Sequence, residues 1–599
     1  MAMRRTVYVY RAVMKNKIVL ELFIDKTSAA RRRSSRASGK ENKMKKRLLC
    51  MALVAALIMG LLGGCGKKEG QEVPTEQTGQ EGETGQEGSE ASNDPIGYLY
   101  EQELNIIDDN YRNYYEIFVY SFYDSDGDGI GDLNGVTEKL DYIADMGFNG
   151  IWLMPIMPST TYHKYDVTNY YEIDSEYGVM EDFQRLVDEC HKRGIRVVID
   201  VVINHSSSKH QWFLDACAYL RGLEEGAEPD PAECPYVEYY HFAKEKVNSD
   251  YYKVSGCDWY YEGVFWSEMP DLNLGSEALR EELENVAKYW IDMGVDGFRM
   301  DAAMHFEEGD ITFNTEALNW LYSYCKGLNP DFYMVSEVWA GLNTIQGYYE
   351  SETPSMFNFD AAGAEGKLVK AARGTYTASS FVNDMLRYQE MFNEANADYI
   401  DAPFITNHDM GRVANALLSN PDDLKMACGL LMMMNGSPFV YYGEEIGMKS
   451  SGTKDENKRL PMIWSDTDTT GMTNGPKDAD SGITSAFPGL AEQLIDETSI
   501  LNYYKRAIRL RNENPEIARG TIVIVESLCD AGQAAITKTY EGSTIGIVYN
   551  NSKEEIQVTL TGTELADMQI RGYLTLNGEV ITLIDGVLVM PAQSICILK

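Results

Sequence analysis

Four segments of the sequence end short apolar runs with side chains able to do acid, base or nucleophilic work. Gly297-Phe298-Arg299-Met300-Asp301-Ala302 is the sharpest. Residues 299 and 301 are two apart, so in a strand both side chains leave by the same face. An arginine beside an aspartate holds the carboxylate ionised, the state a nucleophile requires. Taken alone, such a pair is more often a structural ion pair. Val335-Ser336-Glu337-Val338-Trp339 ends a second run. Among apolar and aromatic neighbours Glu337 should lose acidity by desolvation, which suits a general acid. Thr406-Asn407-His408-Asp409 ends a third run, and Asp200-Val201-Val202-Ile203-Asn204-His205 a fourth. His408 can bond hydroxyls, and Asp409 can stabilise positive charge on a sugar ring. Each segment is weak evidence singly, because His and Asp are common in loops. Retaining cleavage of a glycosidic bond is one reaction that needs such acids. In that reaction one carboxylate attacks the sugar carbon; the other protonates the leaving oxygen and then activates water.

A fifth segment points to a hard cation. Asp124, Asp126, Asp128 and Asp132 alternate along one loop, with Gly129 permitting the turn and Ile130 offering its carbonyl. Such oxygens can converge on Ca2+. An EF-hand would carry Glu at its twelfth position, where Gly135 stands. The loop is therefore read as a structural calcium site, in preference to a solvated acidic turn.

The elements that must position these residues alternate along the chain. Strand-like runs cover 116–122, 150–154, 196–202, 297–300, 332–336, 355–359, 403–406 and 439–442, with amphipathic helical patterns between them, such as 180–192, 279–293 and 421–434. Eight such units predict an α/β fold, a closed (β/α)8 barrel whose active site lies at the C-terminal ends of the strands. The chemical residues do cluster just after the apolar runs. About 90 residues separate Asn204 from the next barrel strand, room for an inserted domain. After Pro515, short alternating segments at 534–540, 544–549, 555–560 and 587–590 predict a C-terminal antiparallel β-domain.

Ahead of the barrel stands a targeting device. Lys45-Lys46-Arg47 precedes an almost wholly apolar run from Leu48 to Leu62, and Leu62-Gly63-Gly64-Cys65 follows. That run is shorter than the roughly 20 residues of an ordinary span. Its ending resembles a bacterial lipoprotein signal in which Cys65 takes the lipid, in preference to a plain signal peptide with a chance cysteine. Residues 67–95 are rich in Glu, Gly, Gln and Thr, and Thr-Gly-Gln-Glu-Gly occurs at both 78–82 and 84–88. A segment so poor in apolar residues cannot bury a core. The basic residues 1–43 lie upstream of a complete signal, so Met44 reads as the start of translation. The expected organisation is 1–65 extension and signal, 66–97 acidic linker, 98–204 first part of the barrel, 205–275 inserted domain, 276–513 second part of the barrel and 514–599 β-domain.

Composition narrows the partners. Hydrophobic residues make up 44% and charged residues 24%, a globular balance. The net charge of -39 repels phosphate backbones and argues against nucleic acid; a neutral polymer meets no such barrier. Ten cysteines include no CxxC pair, so no zinc ribbon or thioredoxin-like site is indicated. Whether two of Cys217, Cys234 and Cys257 pair in a disulfide is left open by spacing.

In this order the motifs resemble the α-amylase family of retaining glycoside hydrolases. Three further segments carry the resemblance: Gly150-Ile151-Trp152-Leu153-Met154-Pro155, Met269-Pro270-Asp271-Leu272-Asn273-Leu274 and Gly436-Ser437-Pro438-Phe439-Val440-Tyr441-Tyr442-Gly443-Glu444-Glu445. The likeness implies Asp301 as nucleophile, Glu337 as acid/base and Asp409 as transition-state stabiliser. It implies Arg299, His205 and His408 around the cleavage subsite, Tyr165 and Asp166 on the same sugar, and His305 as a substrate contact. It also implies the calcium loop, a barrel with a domain inserted after the third strand, and a C-terminal β-domain. Ala302 after the nucleophile resembles α-1,4-acting members. The 269–274 segment resembles a subgroup between oligo-1,6-glucosidases and neopullulanases. Met304, where many α-amylases have Lys, departs on the leaving-group side. The expectation is an extracytoplasmic, membrane-anchored, monomeric α-glucan hydrolase with structural Ca2+. The alternatives are a glucanotransferase or an oligo-α-glucosidase or neopullulanase-like enzyme using the same acids. A non-catalytic glucan-binding lipoprotein should have lost one of those acids, and an acidic calcium-binding surface protein explains only residues 124–132.

Overall fold

The computed structural model describes residues 104–599 except Thr484. The signal, Cys65 and the linker lie outside the described residues.

Seven parallel strands form the central sheet: β1 Tyr114–Ile117, β2 Gly150–Leu153, β3 Arg196–Val201, β4 Gly297–Met300, β5 Tyr333–Ser336, β6 Ser355–Met356 and β7 Phe439–Tyr441. Their order is β7-β1-β2-β3-β4-β5-β6. The gap between β6 and β7 is closed by residues 402–404 through two parallel bridges, Phe357 to Ala402 and Phe404 to Phe439. The eighth position is thus a bridged segment rather than the full strand expected at 403–406. Pro403 has no N–H to give a ladder, although its carbonyl accepts from the Phe439 N–H at 2.9 Å. The run expected at 355–359 likewise shortens to two ladder residues. The result is a (β/α)8 barrel.

Each barrel strand is buried along almost its whole length, so the runs read as continuously apolar rather than alternating. The interior is filled by stacked rings: Tyr114 lies 5.2 Å from Tyr333 and 4.6 Å from Phe439. Gly150 is required there, since a Cβ would sit 2.4 Å from the Tyr114 ring. Helix Met180–Lys192 shows how the outer layer is specified. Phe183, Leu186, Val187 and Cys190 recur at helical spacing and are the buried face, while acidic residues occupy the first turn and His191 and Lys192 the last.

Between β3 and β4 the chain forms helix Gln211–Gly222 and a small antiparallel sheet of Phe242–Ala243, Tyr251–Lys253 and Tyr260–Glu262. A satellite core of Ala216, Leu220, Cys234 and Val237 supports it. All eight described cysteines are free thiols, so Cys217, Cys234 and Cys257 form no disulfide. Beyond the barrel, a five-stranded and a three-stranded antiparallel sheet enclose a second core that includes Val548, Leu588 and Cys596.

Candidate active site

Parallel register carries acids and cations from different strands to one mouth. Asp200 on β3 pairs with Arg299 on β4, and Arg299 with Val335 on β5. Asp301 is the residue after β4 and Glu337 the residue after β5. The Arg299 guanidinium, 1% exposed, donates through Nη1 to Asp301 Oδ1 at 2.5 Å and to Asp200 Oδ1 at 3.0 Å. Its Nη2 reaches Glu337 Oε2 at 2.9 Å. One buried cation therefore touches three carboxylates and holds two of them facing a common space.

Ala302 sharpens that arrangement. Its backbone is left-handed, φ 50° and ψ 38°, which is strained for a residue with a Cβ. The turn brings its N–H to Glu337 Oε2 at 3.2 Å. The small methyl keeps the strain modest, whereas a β-branched side chain would add to it.

A second network holds Asp409. His408 Nδ1 donates to Glu116 at 2.6 Å, and its Nε2 lies 2.8 Å from the Tyr165 hydroxyl and 3.0 Å from Asp409 Oδ2. Tyr165 in turn donates to Asp200 at 3.0 Å, joining the two networks. Arg459 donates to Asp409 Oδ1 at 2.6 Å and to the Tyr162 hydroxyl at 3.2 Å. Burial opposes charging of His408, but Asp409 and Glu116 outweigh it and lift its pKa to about 9. Burial likewise opposes ionisation of Asp409, and His408 and Arg459 overcome it, holding that carboxyl well below the usual range. Glu337 moves the other way: desolvation raises its pKa against the pull of Arg299, with Asp301 and Asp409 adding repulsion. The site thus holds Asp409 ionised, while burial shifts Glu337 toward its protonated form, as a general acid requires.

The cleft has a volume of about 440 Å³. Asp301, Glu337, Asp409, Tyr165, His205 and His305 all line it. Three other expected contacts are placed behind its wall. Arg299 and His408 are fully buried, and their side chains bond carboxylates and, for His408, the Tyr165 hydroxyl. Asp166 is also fully buried; its oxygens accept from the hydroxyls of Ser159, Thr160, Thr161 and Ser207, and so it braces a loop.

Several site residues escape sequence reasoning. Arg459 and Tyr162 sit in no motif. Phe265, in the inserted segment, packs 5.1 Å from the His305 ring, and Trp339 is stacked 5.1 Å from Phe359; both are about half exposed. Glu116 could have been found, because a lone carboxylate inside Tyr-Tyr-Glu-Ile at the start of the barrel must have a buried partner.

In the acidic loop, carboxylate oxygens of Asp124, Asp126 and Asp128 lie within 4.8 Å of one another. That set of hard oxygens fits Ca2+. Asp132 is outside the group. It accepts from the Gly135 N–H at 2.8 Å and caps helix Leu133–Glu138, and it also binds the Ser125 N–H and hydroxyl.

Comparison with known proteins follows the same lines. A family model described as alpha amylase, catalytic domain, matches residues 116–520. The chain is 37% identical over 452 residues to alpha-amylase 3 of Dictyoglomus thermophilum, covering 74% of this chain and 86% of that protein. It resembles the solved structure of Eubacterium rectale Amy13B with 43% identity and a TM-score of 0.79, over 83% of this chain and 97% of that one. It is 29% identical over 469 residues to a 4-alpha-glucanotransferase of Thermotoga maritima, covering 74% and 96%.

Proposed function

The chain belongs to the α-amylase family, and from that premise we propose that it hydrolyses α-1,4-glucosidic bonds in starch, maltodextrins or related α-glucans, outside the cytoplasm and anchored by lipid at Cys65. The observation that carries the chemistry is the single guanidinium of Arg299 bridging Asp301 and Glu337. In this reading Asp301 attacks the anomeric carbon while Glu337 gives its proton to the leaving oxygen, leaving a glycosyl ester on Asp301. Glu337, now ionised, takes a proton from water, which releases the sugar with its original α configuration. Asp409, ionised by His408 and Arg459, stabilises the positive charge that builds on the ring. Calcium would be held by Asp124, Asp126 and Asp128 with the Ile130 carbonyl. It would supply charge neutralisation to the loop after β1 and no step of the reaction. The basic segment, short apolar run and acidic linker of the N-terminus support the surface location.

Transfer of the glycosyl group to a sugar instead of water is the second reading. What favours it is the apolar wall beside Glu337, where the rings of Phe265 and Trp339 offer an acceptor sugar faces to stack on.

Incubation with starch, pullulan and a cyclic dextrin, with products resolved by size and anomer, tests both readings. α-Anomeric products are expected from at least one substrate, with short sugars prevailing over rearranged longer ones. Asp301→Asn should abolish turnover with the melting temperature retained; persistent activity would remove Asp301 as nucleophile. In the same samples EDTA should lower the melting temperature and added Ca2+ restore it. A melting temperature indifferent to both would remove the calcium site.

A further inference from the structure

The inserted domain holds three thiols that the proposed reaction does not use. Cys217 lies on helix Gln211–Gly222 and is buried. Cys257 lies in the turn between strands Tyr251–Lys253 and Tyr260–Glu262 and is partly exposed. Cys234 precedes the short turn Pro235–Glu238 and is buried. All three are reduced in the structure.

The packing of the hairpin turn singles out one pair. Residues 217 and 221 are four apart, so they share one face of the helix. Arg221 on that face donates to the Ser255 carbonyl at 3.3 Å. Gly256 lies against the same side chain; a Cβ there would stand 3.0 Å from Arg221 Cδ. The turn therefore rests on the stripe that carries Cys217, and Cys257 is the next residue along it. Cys257 also packs against the satellite core to which Ala216 and Leu220 of this helix belong. Burial pushes the Cys217 thiol up to about 12, against the pull of Arg221, and Cys257 adds to the rise.

We propose that Cys217 and Cys257 form a redox-reversible disulfide that locks the helix of the inserted domain to its hairpin. The step is an exchange with a small-molecule disulfide. Cys257, which solvent reaches, attacks one sulfur of that molecule, breaks its S–S bond and releases one thiolate. Cys217 then attacks the Cys257 sulfur and expels the second thiolate. The two protein thiols give their protons to the two released thiolates, and the small disulfide takes up two electrons. Exposure fixes the order, because a thiol as deeply buried as Cys217 is inert to an outside reagent. The far end of the hairpin runs into Phe265, whose ring packs 5.3 Å from His205 and 5.1 Å from His305 at the edge of the catalytic cleft. Oxidation thus braces that wall of the cleft from behind and leaves the three acids untouched.

The test incubates the full chain with oxidised glutathione and then with dithiothreitol, beside Cys217→Ser and Cys257→Ser. Peptide mapping of the oxidised protein should find Cys217 joined to Cys257. Its melting temperature should rise by about 5 °C and fall back on reduction, and amide exchange of residues 254–262 should slow in step. Neither variant should show the rise; Cys257→Ser alters a partly exposed position and carries the control if Cys217→Ser folds poorly. A glutathione adduct left on Cys257 beside a free Cys217 overturns the proposal. So does a bond from either residue to Cys234, or a melting temperature that is the same in both redox states.

Discussion

Two regions of this molecule bury charge, and they do so in opposite ways. At the mouth of the barrel, Arg299 is surrounded by the carboxylates of Asp200, Asp301 and Glu337. Where the barrel meets the β-domain, Lys538 and Arg511 are equally buried but meet no carboxylate among the described residues. Lys538 Nζ donates to the carbonyls of Met433 and Ile517 at 2.8 and 2.7 Å and to Asn435 at 2.6 Å. Arg511 donates to the carbonyls of Met432, Met434 and Gly436. All of these acceptors but Ile517 lie at and just beyond the C-terminal end of helix Pro421–Met432, where unpaired carbonyls and the helix dipole favour a cation. Every donor of Lys538 has one acceptor, and the cluster is closed. The mouth is left open: Asp301 and Glu337 each reach the cleft with an oxygen not committed to Arg299. A closed set of buried bonds specifies structure, while an open one leaves reactivity.

The largest expected effect comes from breaking the open cluster. Arg299→Leu leaves three carboxylates without their common cation. Activity should fall by about 10³-fold, and urea unfolding should register a loss of about 3–5 kcal/mol. Retention of more than a tenth of the activity would show that the carboxylates are held by other means. Lys538→Met sharpens the contrast from the other side. It strands carbonyls at the domain junction and should reduce stability by about 1–3 kcal/mol, while kcat of the folded enzyme stays the same. A drop in kcat would mean the junction is coupled to the cleft.

The smallest effect concerns pH. His408 has a folded pKa near 9 against an ordinary 6.5, so its contribution to stability is complete below 6.5 and fades as pH rises through 9. Glu444, buried between Thr406 and Tyr504, has its pKa raised to about 8 by desolvation, so the fold favours its neutral form. An unfolded chain ionises it from about pH 4.5 upward, which again lowers stability as pH rises. The melting temperature should therefore decline from pH 6.5 to 9. Glu116→Gln removes one of the two carboxylates on His408 and should flatten that decline by about 1 kcal/mol. An unaltered slope would show that His408 is not charged in the native state.

Legibility in the sequence followed the range of the interactions. Helix Met180–Lys192 is visible because its apolar period, acidic first turn and basic last turn all lie within thirteen residues. The strands ending in Arg299 and Glu337 are visible as apolar runs, and the C-terminal β-domain as alternation between turns. The eighth run is visible at 403–406 as well, but its reduction to two bridges at 402–404 is not, because Pro403 interrupts a ladder whose other half comes from β6 and β7. Arg459 is invisible for a similar reason: it is 50 residues from Asp409 in sequence and belongs to no periodic element.

The chain by itself determined which acids stand after which strands, because a two-residue period and a parallel barrel dictate that residues just past the strands share one mouth. It also determined the acidic loop after β1, where alternation alone brings three carboxylates together. Only the tertiary structure decided how each group is used. It turned Asp166 inward onto hydroxyls, set His408 between Asp409 and Glu116, committed Asp132 to a helix cap, and drew Arg459 and Glu116 into the site. Those outcomes depend on which partner arrives first in three dimensions and on how much water is left beside it, and neither quantity is written in local spacing.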